Sequence, residues 1–170
     1  MTIRNLKAVL VGTVFAAAAF AGTSAQAATA SATASANILT QVTVTKDFDL
    51  DFGTIAIGTS GGTVTVGNSN NRTCGAGLVC SASATSAAFT IAGAPNQLVG
   101  ITIDPSVTLN RITPTVGGAS MTATLATSVA TATLSATGAA TFAAGGVLTV
   151  PSTQAAGGYQ GTFSVTVNYQ

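Results

Sequence analysis

The chain has 170 residues, of which 47% are hydrophobic and 5% charged, with no histidine and a formal net charge of +1. So sparse a charge set excludes a nucleic-acid binder, which neutralises phosphates with clustered Lys and Arg, and a polybasic membrane patch. The commonest general base, His, is missing, every acid is an Asp, and the many Ser and Thr hydroxyls have no base to activate them, so no enzyme is expected.

In chain order, Arg4 and Lys7 precede an apolar stretch from Ala8 to Gly22, and Ala25-Gln26-Ala27 fits the small-x-small cleavage rule. The pattern predicts a secretory signal peptide over residues 1–27, cut before Ala28. An apolar run of about 15 residues falls short of the roughly 20 that a membrane-spanning helix needs, so no integral span is expected after cleavage. Residues 28–170 then carry Lys46, Arg72 and Arg111 against Asp47, Asp49, Asp51 and Asp104, a net charge of −1. Low charge with high hydrophobicity is the reverse of a disordered composition, and abundant Thr suits strands.

From Ala28 onward the sequence alternates with period two. Ala28, Ala30, Ala32, Ala34, Ala36, Ile38, Val42 and Val44 share one face, opposite a mainly polar face that begins Thr29, Ser31, Thr33, Ser35. The stretch exceeds an ordinary strand, which predicts an Ala/Thr/Ser arm over 28–36 and a first core strand over 38–46 of a domain spanning 37–170. A second strand is expected over 47–57, with a bulge at Gly53, and a short strand over 63–66. Asp47, Asp49 and Asp51, two apart, share one strand face; they read as a solvated surface opposite Phe48, Leu50 and Phe52, the alternative being a calcium site.

A long polar loop is expected over 67–86, holding Cys74 and Cys80, the two cysteines of the chain. In an exported chain such a pair reads as a disulfide. Five intervening residues match neither C-x-x-C nor a zinc knuckle, so neither metal nor cofactor is expected. Further strands are expected around Phe89 and Ile91; Val99, Ile101 and Ile103; Val107 and Leu109; Met121, Ala123 and Leu125; and Ala130 to Ala136. Turns fall at Gly93–Asn96 and Pro114–Gly118. Phe142 begins a strand that Gly145-Gly146 breaks before Leu148 and Val150. The last strand is the clearest: Tyr159, Gly161, Phe163, Val165, Val167 and Tyr169 on one face, Gln160, Thr162, Ser164, Thr166 and Asn168 on the other. Eight to ten short strands without a helix predict an all-β, immunoglobulin-like antiparallel sandwich.

The ending from Gly157 to Tyr169, with a penultimate Tyr, resembles the last strand of chaperone–usher pilus subunits. The Ala-Thr-Ala arm, Leu50-Asp51-Phe52-Gly53-Thr54-Ile55 and Gly62-Thr63-Val64-Thr65-Val66 resemble a family of small exported bacterial proteins carrying a domain of unknown function, similar in pattern to archaic pilus subunits and spore coat protein U. The resemblance implies a pilin-like sandwich lacking its final strand, a periplasmic chaperone and outer-membrane usher as partners, and copies of itself or related subunits joined by β-strand addition. It makes Phe163, Val165, Val167 and Tyr169 the assembly edge and Ala28, Ala30, Ala32, Ala34 and Ala36 the candidate donor arm. The arm's side chains are smaller than those of pilus donor arms, and Cys74 and Cys80 are closer together than pilin cysteines.

The expectation is a structural cell-surface protein, a fimbrial subunit or a coat or adhesin component that passes through the periplasm. The alternative is a monomeric secreted module binding a carbohydrate or surface ligand, which the lack of Trp disfavours. A small outer-membrane barrel would carry aromatic girdles, for which five Phe and two Tyr beyond residue 27 are too few.

Overall fold

The computed structural model describes residues 26–113 and 118–170. The expected signal segment, up to Ser24 and Ala25, and most of the Pro114–Gly118 turn lie outside the described residues. Residues 26–36 belong to a unit of their own, form neither strand nor helix, and are exposed throughout.

The described residues of the second unit, 37–170, form thirteen strands. They are β1 (Thr43–Phe48), β2 (Thr54–Ile57), β3 (Gly62–Val66), β4 (Arg72–Cys74), β5 (Leu78–Ser81), β6 (Ala87–Ala92), β7 (Leu98–Ile103), β8 (Ser106–Thr113), β9 (Ser120–Thr127), β10 (Thr131–Thr133), β11 (Ala139–Val150), β12 (Gly158–Gln160) and β13 (Val165–Tyr169). The largest sheet runs β1-β6-β11-β9-β8-β12, with β3 beside β11 and β4 beside β3; two smaller sheets are β10-β7-β13 and β2-β5. All pairings are antiparallel.

Alternation explains which faces are buried. In β6, Ala87, Phe89 and Ile91 point inward, and in β3, Val64 and Val66. One core cluster joins Phe89, Ile91 and Phe142 to Val99, Ile101 and Val167 of the three-stranded sheet. Phe89 stacks on Phe142 with ring centroids 5.0 Å apart and meets Phe163 edge-on at 6.4 Å. A second cluster places Val64, Val66, Leu148 and Val150 with Phe52 and Leu78, beside the two-stranded sheet. Leu50 and Phe163 pack against both clusters. The result is an all-β, sandwich-like domain, with no helix among the described residues.

Five strand expectations are corrected. The core strand over 38–46 is replaced by β1, all of whose residues are exposed. Its ladder starts where Thr43 meets Ala92, the last residue of β6, so residues 37–42 have no strand to pair with, and Ile38 is 93% exposed. The strand over 47–57 is interrupted after Phe48: Gly53 has φ +76°, and its N–H donates to Asp51 Oδ1 at 2.8 Å, a tight turn that ends one strand and starts another. The register irregularity lies at Lys46/Phe48, not at Gly53. The polar loop over 67–86 contains β4 and β5.

Gly145 and Gly146 do not break β11. They lie where β6 ends and β3 takes over the same edge, and a Cβ at Gly145 would strike the Val66 carbonyl oxygen. Finally, the last strand is two: β12 pairs with β8, the chain crosses at 161–164, and β13 pairs with β7.

Candidate functional site

Both ends of the folded domain lie along unpaired edges. Among the described residues, β1 pairs only with β6, β2 only with β5, β12 only with β8 and β13 only with β7. The first segment, 46–57, and the last, 154–163, line two clefts. The larger, about 730 Å³, lies between Leu50–Ile57 on one side and Gln154–Tyr159 on the other, with Leu109, Met121, Leu148 and Val150 as its apolar floor. The smaller, about 340 Å³, is bounded by Lys46, Phe48 and Asp49, by Ala87 and Phe89 of β6, and by Gln160–Phe163. Phe48, at its rim, is 65% exposed. Unpaired N–H and C=O groups beside an apolar floor are what an incoming extended strand satisfies.

The predicted edge residues fall on one face as expected. Val167 is buried against the first core cluster, Phe163, Val165 and Tyr169 are half-buried, and the intervening Ser164, Thr166 and Asn168 are exposed. The crossing between β12 and β13 is held by Asp104, whose N–H donates to Ser164 O at 3.1 Å and whose Oδ2 accepts from Ser164 N–H at 2.7 Å. Tyr169 Oη accepts from Ala94 N–H and donates to Thr40 O, each at 2.7 Å, so the penultimate residue ties the β6–β7 turn to the segment that precedes β1. The candidate arm residues Ala28, Ala30, Ala32, Ala34 and Ala36 are exposed.

Cys74 and Cys80 are disulfide-bonded. The three clustered carboxylates each serve a local partner. Asp49 pairs with Lys46 Nζ at 2.7 Å, Asp47 Oδ2 accepts from Thr90 Oγ1 at 2.8 Å, and Asp51 holds the Gly53 turn. They do not converge, and the described residues hold no group of three or more His, Cys, Asp or Glu able to bind a metal ion. No described helix is long and apolar enough to cross a membrane.

Sequence reasoning placed the apolar face of the last strand but missed the opposite wall, Thr54–Ile57, and the Gln154–Tyr159 lip. The lip has a local signal: Tyr159 Oη accepts from Gln154 Nε2 and donates to Ala155 O, each at 2.7 Å, closing the loop that enters β12.

These features define an antiparallel, sandwich-like domain with open clefts between the segment 46–57 and residues 154–163. The chain belongs to the family described as a domain of unknown function (DUF4402), whose profile matches residues 42–169. No curated protein and no solved structure matches it.

Proposed function

We propose that the protein is an exported structural component of the cell surface, a fimbrial subunit or related coat or adhesin component, whose open edge accepts a β-strand from another chain. The observation that carries this reading is the pair of apolar-floored clefts that the segment 46–57 forms with residues 154–163, beside the singly paired strands β1, β2 and β12. The resemblance to pilus subunits suggests how the edge is used: a periplasmic chaperone covers it, an outer-membrane usher directs assembly, and the arm of another copy or related subunit replaces the chaperone's strand. An alanine-only arm buries little apolar surface against a cleft of about 730 Å³. The bulky residues next to the arm are Ile38, 93% exposed, and Leu39. They extend the donor segment from 28–36 to about residue 39.

The test is secretion of the chain with its native partners, followed by size-exclusion chromatography and electron microscopy. Wild type is expected to associate, while deletion of 28–36 or Ile38→Asp leaves folded monomers. A strictly monomeric wild type overturns the proposal. A second reading, a monomeric binding module, draws on the larger cleft, whose 730 Å³ lies within the range of small-molecule sites. Native mass spectrometry showing a monomer with a retained small molecule would favour it.

A further inference from the structure

The wall of the larger cleft opposite residues 154–159 includes β2, which is backed by β5 in the two-stranded sheet. Ile55 pairs with Cys80, Ala56 with Val79 and Ile57 with Leu78, but among the described residues neither β2 nor β5 has a ladder to any other strand. Besides the short chain connections 58–61 and 75–77, one covalent bridge links this small sheet to the large sheet. Cys80 in β5 is bonded to Cys74 in β4, Cys74 pairs with Val64 in β3, and β3 pairs with β11. The other ties are Arg72 Nη1, which donates to Phe52 O at 3.2 Å and Ser81 O at 3.1 Å, the Gly75 N–H, which donates to Thr63 O of β3 at 2.8 Å, and the packing of Leu78, Ile55 and Ile57 in the second core cluster.

We propose that the Cys74–Cys80 disulfide is the positioning element of this cleft wall, and that its reduction loosens β2 and β5 while the central strands stay folded. The reaction is thiol–disulfide exchange with a dithiol. One thiolate attacks a cysteine sulfur to give a mixed disulfide, the second thiol displaces the remaining cysteine, and two electrons and two protons pass to the protein as the dithiol becomes a cyclic disulfide. A bridge between residues six apart in sequence restrains the unfolded chain less than a long-range one does. Its effect is therefore local, at the wall it anchors. Both cysteines are half-buried, each with part of its surface open to solvent. The consequence for assembly rests on the strand-accepting reading above; the consequence for the wall does not.

Hydrogen exchange separates the two. The oxidised chain, the same chain in dithiothreitol, and the double variant Cys74→Ser with Cys80→Ser are compared, each with and without a synthetic peptide of residues 28–42. Reduction and the double substitution are expected to speed exchange at least tenfold over 54–57 and 78–81, with 87–92 and 139–150 unchanged, and to weaken peptide binding at least fivefold. Unchanged exchange at the wall, or equal acceleration across all strands, overturns the inference. Wall-selective acceleration with a peptide that binds neither form upholds it and counts against the strand-accepting reading instead.

Discussion

β11 and β13 carry the same kind of alternation, yet the sandwich uses them differently. β11 is paired along both edges, by β6 and then β3 on one side and by β9 on the other, and it contributes Phe142, Ala144, Leu148 and Val150 to the two cores. β13 is paired with β7 alone, and only Val167 of its five residues is buried. An apolar face is therefore not enough to make a strand central. What differs is whether a second strand of the same chain satisfies the other edge. The interior of the domain is complete around β11, whereas β1, β2, β4, β5, β10, β12 and β13 each have one strand neighbour among the described residues, and β1, β2 and β12 of these line the clefts.

The contrast breaks most sharply where an edge strand still reaches the core. Val167→Asp places an unpaired carboxylate among Val99, Ile101 and Phe89 and is expected to abolish folding. Thr166→Asp, one residue away on the exposed face, is expected to be tolerated; circular dichroism and yield of secreted protein report both. If Val167→Asp folds, β13 is a detachable edge rather than part of the sandwich. In the centre, Leu148→Ala removes a side chain only 2% exposed and is expected to cost about 2–5 kcal/mol in urea unfolding. Tyr169→Phe is smaller, because it keeps the ring and removes only Oη. Ala94 N–H loses its acceptor and Thr40 O its donor, a loss of about 1–3 kcal/mol, with faster exchange expected at the Ala94 amide. Stability equal to wild type would mean that water replaces the phenol at no cost.

How much of this was legible depends on range. The face of the last strand was readable, because Phe163, Val165, Val167 and Tyr169 all turn toward the same core and two-residue alternation records that. Its break at 161–164 was not, because it depends on β8 giving way to β7 as the neighbour. Gly145-Gly146 read as a breaker on local propensity, whereas close approach of Val66 makes glycine the residue that fits a continuous strand. β4 and β5, three and four residues long, are too short for a period to register inside a Gly- and Ser-rich stretch. The clefts were illegible for the same reason: Leu50–Ile57 meets Gln154–Tyr159 across most of the chain's length, and no local pattern encodes that approach.

The smallest expected effect on stability carries the most information about the open edge. Phe48 is the last residue of the β1 ladder, paired with Ala88, and its ring is 65% exposed at the rim of the smaller cleft. A side chain so exposed adds little to the sandwich that contains it, so Phe48→Ala is expected to change unfolding free energy by no more than about 0.5 kcal/mol. The neighbouring ion pair, Lys46 with Asp49, has side chains 56% and 77% exposed, and is likewise of little weight. If the rim receives a strand, the same ring becomes buried on association, where a Phe is worth far more than on the free surface. Phe48→Ala should then weaken association between copies at least tenfold while the melting curve stays where it was, with sedimentation velocity and thermal denaturation as paired measurements. A stability loss comparable to that of Leu148→Ala would place Phe48 in the core and remove the distinction between centre and rim. Unchanged association would confine strand capture to the larger cleft and leave the exposed ring without a part in it.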